Sequence, residues 1–217
     1  MTRASEGPEA GPESVEIAAL SSHTWPALAE LFSSGGDPRW CWCQYWRKPG
    51  SNWTNTTPEE NRRDLEALVG HDPAPGLVAL RDGRAIGWVG LGQRQAFPRL
   101  QRSRTIPTVP GDGVWSVNCF VVARRERRSG VATALLDAAV AYAAEHGAAL
   151  VEGYPVATDG PRIASSSVYT GTTAMFERAG FEVAAATTSS AGGGARRLVM
   201  RRSARGIGIS RRPRRER

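Results

Sequence analysis

The stretch from Val114 to Gly147 has residue types and spacing that could do chemistry. VWSVNCFVV (114–122) is a strongly apolar run that reads as a buried strand. A short basic turn follows, Ala123–Arg128, and then Ser129-Gly130-Val131-Ala132 opens an Ala-rich helix to His146, closed by Gly147. The first amides of a helix have no intrahelical partner, and the macrodipole places partial positive charge there. Gly130 and Ala132 have almost no side chain, so an anion can approach the backbone closely. Arg124, Arg125, Arg127 and Arg128 add cationic donors at the same point. The chemistry this assembles is a cradle for a diphosphate.

Spacing separates this cradle from other phosphate loops. A P-loop needs G-x-x-x-x-G-K-[ST], and the only lysine, Lys48, lies far from any such glycine pattern. A dinucleotide-binding turn needs G-x-G-x-x-G after its strand, whereas Gly90-Leu91-Gly92 lacks both the third glycine and the helix. Arg127-x-x-Gly130-x-Ala132 instead resembles the [QR]-x-x-G-x-[GA] signature of GNAT-superfamily N-acetyltransferases. The strand before it, the helix after it and the order of the flanking elements extend the likeness. So does Thr172–Phe181, an amphipathic helix ending Glu177-Arg178-Ala179-Gly180-Phe181, similar to that family's fourth helix and following strand. The resemblance covers roughly residues 14–202.

The resemblance implies acetyl-CoA as co-substrate, with no metal, and an N-acetyltransferase acting on a primary amine, either a small molecule or a peptide. Phe120, Val121 and Val122 would pair through their main chain with the pantetheine arm, and the main chain near Phe120 would polarise the thioester carbonyl. Arg127, Arg128, Ser129, Gly130, Val131, Ala132 and Thr133 would hold the diphosphate. The catalytic positions depart from the family. Where several members place a glutamate base this chain has Ser116, and where a tyrosine acid is frequent it has Phe176. Other groups can serve. Glu152 and Tyr154 share a strand face by period-2 alternation, and a carboxylate in a desolvated cleft is suited to act as a base. Tyr154 or Tyr169 is a candidate acid, and water is a third. Because neither family group is present, a domain that binds acyl-CoA without catalysis is the alternative.

Trp40-Cys41-Trp42-Cys43-Gln44-Tyr45-Trp46 lies where the resemblance puts one wall of the acceptor site. Trp42, Tyr45 and Trp46 are candidate acceptor contacts, with cation–π binding of an amine as one mode. Cys41, Cys43 and Cys119 are odd in number and lack structural zinc spacing, so reduced thiols are expected. His23, His71 and His146 fall at helix ends and read as surface or capping residues.

The remaining elements must position these groups. Strands are expected at 14–20, 76–81, 84–91, 149–154, 181–187 and 196–202. Helices are expected at 24–32, from the capping box Thr57-Pro58-Glu59-Glu60 to about Val69, and at 172–179. Gly35–Trp53 and Gly92–Asp112 read as irregular. The fold class is α/β, a mixed, mostly antiparallel central sheet with a splayed middle and helices on both faces. One domain, 14–202, is flanked by Gly/Pro/Glu-rich residues 1–13 and an Arg-rich segment, 203–217, both read as disordered.

The net charge of +7 is localised. Residues 201–217 hold eight Arg and one Glu, and residues 1–200 hold 20 basic and 20 acidic side chains. The body is therefore neutral, and the excess is terminal. A nucleic-acid-binding role for this basic segment is a second, weaker alternative, since it has no interleaved aromatics. The first residues lack a signal-peptide core, and no apolar run approaches the ~18–20 residues of a membrane span. A cytoplasmic protein with no membrane partner follows as an expectation, and a homodimer is compatible with it.

Overall fold

The computed structural model describes residues 15–158, 163–191 and 194–206. The expected N-terminal segment, residues 207–217 and Asp159 lie outside the described residues.

Strands β1 (Glu16–Ala19), β2 (Gly76–Arg81), β3 (Arg84–Gln93), β4 (Val114–Val122), β5 (Leu150–Gly153), β6 (Glu182–Ser190) and β7 (Arg196–Ser203) build one sheet. Their order is β1-β2-β3-β4-β5-β7-β6. Every pairing is antiparallel except β4 with β5. Side chains alternate between two cores, as a sheet covered on both faces requires. Leu77 and Val89 pack with Leu135, Leu136 and Val140 of helix α6 (Val131–Glu145) on one face. Val78, Trp88 and Cys119 pack with Leu28 and Phe32 of helix α1 (Trp25–Ser33) on the other.

The middle of the sheet opens. β4 pairs with β5 only from Val114 to Val117, opposite Leu150 to Gly153, and its last residues run on without β5. At that point the β3 register steps from Gly90 opposite Cys119 to Leu91 opposite Val117, leaving Asn118 as an extra residue on β4. Such a bulge bends its strand and strengthens the local twist, which turns the end of β4 away from β5. Phe176 of helix α7 (Thr173–Arg178) is fully buried in this wedge. A Cβ on Gly153 would come within 2.1 Å of its ring, so only glycine fits at the end of β5.

Helix α4 (Pro58–Glu66) has the expected capping box. Thr57 Oγ1 accepts from the Glu60 amide at 3.2 Å, and Glu60 Oε2 accepts from the Thr57 amide at 2.9 Å. The Thr57 amide holds the Glu60 carboxyl below its ordinary value. This contribution is therefore complete above the unfolded value and fades as pH falls through the lowered one. Thr57→Ala is expected to cost about 1 kcal/mol, read as a drop of about 2–4 °C in Tm.

Two stretches expected to be irregular carry structure. Gly35–Trp53 holds helices α2 (Asp37–Cys41) and α3 (Gly50–Trp53). Residues 92–112 hold a 3-10 turn, Arg94–Ala96, and helix α5 (Pro98–Gln101). Phe97, Leu100 and Ile106 from this excursion are buried against Trp46, Tyr154 and Val199 in a third core. Its polar composition hid those three anchors, because they are spaced too irregularly to show a period.

Candidate active site

The end of β4 leads through a 3-10 turn, Arg124–Glu126, to the start of α6. Arg128 and Gly130 both take left-handed backbone angles, with φ of 67° and 88°. Alternating conformations of this kind turn successive amides into a concave nest for anions. Gly130 is the N-cap and offers no side-chain cap, so the first amides of α6 have no capping side chain. A Cβ built on Gly130 would meet nothing within 4 Å. Ser129 turns its hydroxyl back to the Glu126 carbonyl at 2.6 Å, so toward an anion it offers its amide. Arg124, Arg125 and Arg128 are exposed around the nest. Arg127 reaches back with Nε to the Val122 carbonyl at 3.4 Å. Glu126, the one acid of the turn, is neutralised by Arg81 at 2.6 Å. An uncapped helix start, open space and the exposed cations Arg124, Arg125 and Arg128 fit a diphosphate.

A backbone hydrogen bond crosses the splay beside it. The Phe120 amide, which faces the gap, donates to the Tyr169 carbonyl at 2.6 Å. Val121 and Val122 are half-buried there. Tyr169 is thus carried to β4 by the segment between β5 and α7. Burial pushes its hydroxyl well above the ordinary tyrosine value.

Glu152 and Tyr154 do share a face, but their setting does not suit the roles first expected of them. The Glu152 carboxylate is wholly buried. One oxygen takes Arg94 Nη1 and, at 2.6 Å, the Tyr154 hydroxyl. The other takes Arg201 Nε at 2.7 Å and Nη2 at 2.6 Å. Both carboxylate oxygens are thus engaged by guanidinium groups, a setting that does not favour the expected role of Glu152 as base. Tyr154 is also fully buried, hydrogen-bonded to Glu152 and, at 2.9 Å, to Ser116 Oγ. Burial raises its pKa as well. Its proton is donated to Glu152, a setting that does not favour the expected role of Tyr154 as acid. Ser116 and Phe176, at the two vacated family positions, are both fully buried.

Sequence reasoning missed the partners of Glu152. Arg94 lay in the excursion read as irregular. Arg201 was counted with the basic terminal segment, yet it belongs to β7 and also donates to the carbonyls of Pro110 and Val109. β7 (RRLVMRRS) carries four arginines, and nothing in its sequence singles out Arg201 as the one that turns inward to Glu152.

The aromatic segment divides. Trp42, in a left-handed conformation, is wedged between Trp25 at 5.9 Å and Phe32 at 5.4 Å, and its indole N–H donates to the Arg39 carbonyl. It sits in the core beneath α1 and does not line the cleft that Tyr45 and Trp46 reach. Tyr45 and Trp46 instead line a cleft of about 320 Å³ together with Gly50, Arg99, Arg102 and Ile106. The Tyr45 ring is already covered by the Arg99 guanidinium, 4.1 Å from its centre. That face is closed to an amine cation. Trp46 stacks on Tyr154 at 6.1 Å, and Tyr45 meets Tyr169 edge-on at 6.4 Å, so the cleft adjoins the splay. A larger recess, of about 440 Å³, lies beside Gly147 and Ala204, at the opposite end of α6 from Gly130.

Cys43 and Cys119 face each other with sulfurs 2.8 Å apart, and all three cysteines are free. Among the described residues no cluster of His, Cys, Asp or Glu is placed to hold a metal ion. His23 and His71 are exposed, and His146 contacts Asp72 at 3.1 Å. Among the described residues no helix is long and apolar enough to cross a membrane.

A parallel β4/β5 pair thus splays at a bulge, and β4 leads to an uncapped helix start. The model of the acetyltransferase (GNAT) family matches residues 40–181, and the chain belongs to that family. No curated protein matches it in sequence. Among solved structures it is similar to a GCN5-related N-acetyltransferase from Kribbella flavida. That likeness has 20% identity and a TM-score of 0.52, over 87% of this chain and 97% of that one. It is also similar to an N-acetyltransferase from Staphylococcus aureus, with 13% identity and a TM-score of 0.53 over 88% and 99% of the two chains. An acetyltransferase of the GNAT family from Streptococcus pneumoniae gives 14% identity and a TM-score of 0.51, again over 88% and 99%.

Proposed function

We propose that this protein is an N-acetyltransferase that moves an acetyl group from acetyl-CoA to a primary amine. The uncapped, open start of α6 at Gly130 carries this reading. When bound, acetyl-CoA supplies the activated acyl group as a thioester. The nest from Arg127 to Thr133 would hold the diphosphate, and the edge of β4 at Phe120, Val121 and Val122 would orient the pantetheine. The catalytic domain is residues 14–202, with β7 ending just beyond this boundary at Ser203.

The Phe120 amide is the donor nearest the reacting carbonyl in this arrangement. A thioester oxygen would compete for it with the Tyr169 carbonyl, so Tyr169 stands beside the chemistry. Preorganised donors aimed at a developing oxyanion are a large part of acyl-transfer catalysis. Since burial raises the Tyr169 hydroxyl, it keeps its proton at neutral pH. A general acid for the departing thiolate needs that state. With Glu152 engaged, the amine loses its proton to water or arrives neutral. Tyr169→Phe is expected to lower kcat about 10²-fold, the low end for a positioned acid, with acetyl-CoA affinity unchanged in calorimetry. An unchanged kcat would leave the thiolate to water.

Steady release of CoA thiol over a panel of amines tests the activity. The second reading, an acyl-CoA-binding domain without catalysis, is favoured by the burial of Ser116 and Phe176 at the family's catalytic positions. It predicts acetyl-CoA binding with no amine-dependent thiol release. A cytoplasmic location and a soluble amine partner go with the first reading.

A further inference from the structure

We infer that the acceptor is an amine bearing a carboxylate, and that Arg99 at the cleft beside the splay recognises it. This rests on the acetyltransferase reading and adds to it the chemical class of the acceptor. The cleft's polar walls are unusual in what they lack. Arg99 and Arg102 both line it, and among the described residues no carboxylate does. Arg99 makes no ion pair among the described residues. Its Nε and Nη2 are buried without any hydrogen-bond partner, and so is the indole Nε1 of Trp46. Unpaired buried donors are uncommon in folded proteins, and each costs free energy until a partner is found. Here three of them belong to two residues that wall one cleft, and all three donate. A ligand group that only accepts hydrogen bonds, and carries negative charge, answers this set.

Geometry narrows the choice. Nε and Nη2 form one edge of the guanidinium fork, and that edge matches the two oxygens of a carboxylate in a bidentate pair. The guanidinium lies over the Tyr45 ring, 4.1 Å from its centre, and 5.8 Å from that of Trp53. Helix α5 supplies Arg99, and the ion pairs of Arg94 and Arg201 with Glu152 anchor the excursion that carries α5. The cleft also meets the reaction centre. Tyr45 touches Tyr169, whose carbonyl holds the Phe120 amide. A carboxylate beside Arg99 would therefore leave the amine of the same small molecule directed at the splay.

The test compares acceptors that differ only in the anion. Amino acids, their carboxamides, the matching decarboxylated amines and phosphoethanolamine are assayed for CoA thiol release. The acids should exceed their amides and amines by about 10²-fold in kcat/KM. Arg99→Met should reduce that preference to within a few-fold, and Arg99→Lys should restore part of it, with acetyl-CoA affinity unchanged in all three proteins. A readout free of turnover accompanies it: equilibrium binding of N-acetyl amino acids and of their carboxamides to the CoA-bound protein. The acids should bind at least tenfold more tightly in wild type, and equally in Arg99→Met. Equal binding of acids and amides by wild type would overturn the inference, as would a preference that survives Arg99→Met or a preference for phosphoethanolamine. Loss of acetyl-CoA binding itself would instead strike the acetyltransferase reading.

Discussion

Gly130→Asp is expected to weaken acetyl-CoA binding by 100-fold or more, while Gly130→Asn weakens it only a few-fold. The two replacements are nearly isosteric, and both tolerate the left-handed backbone that Gly130 adopts at φ 88°. A Cβ at this position meets nothing, so neither side chain clashes with the protein. Whatever strain the backbone adds is common to both. What differs is one negative charge placed where the diphosphate would sit. Two unit charges about 5 Å apart, at an effective dielectric near 20, repel by about 3 kcal/mol, which is roughly a hundredfold in Kd. The same charge favours the N-terminal end of the helix dipole, so Tm should not fall in the Asp variant relative to Asn. Calorimetric titration of both variants decides the matter. Equal affinities would show that the diphosphate does not rest on the start of α6.

Glu152→Gln should destabilise the fold by about 3 kcal/mol, the low end of the cost of removing one partner from a buried ion pair. The change leaves Arg94 and Arg201, both nearly buried, without their shared counter-charge. For a domain of this size that corresponds to a fall of about 6–12 °C in Tm. The activity that remains should keep the shape of its pH profile, because the carboxylate holds the excursion to the sheet and takes no proton from substrate. Thermal unfolding and a pH–rate series on the same preparation check both halves. An unchanged Tm together with loss of the acidic limb would return Glu152 to the role of base.

The start of α6 was legible because local rules specify it. A helix start needs a run of periodic residues, a small residue at the cap and nothing that fills the space, and residues 127–133 announce all of these in order. The strand 114–122 and the capping box at Thr57 are similarly self-contained, and they appear with the expected boundaries or contacts. The phase of β5 correctly put Glu152 and Tyr154 on one side. It could not say what faced them, since that depended on Arg94, some sixty residues earlier, and Arg201, some fifty later. Trp42 and Tyr45 lie three residues apart in one aromatic run. Two successive left-handed residues, Trp42 and Cys43, turn the chain so that Trp42 enters the core beneath α1 and Tyr45 reaches the cleft. Composition carries no trace of that turn, because neither residue is a glycine.

One titration of the wild-type protein tests the diphosphate cradle most directly. Acetyl-CoA and a simple acetyl thioester of cysteamine, which lacks the diphosphate, are each added in a calorimeter at low and moderate salt. The cradle predicts micromolar binding of acetyl-CoA that weakens with salt, and binding of the truncated thioester at least 100-fold weaker, since the charge-assisted contacts are lost. Absence of heat with acetyl-CoA, or equal affinity for the two thioesters, would contradict it.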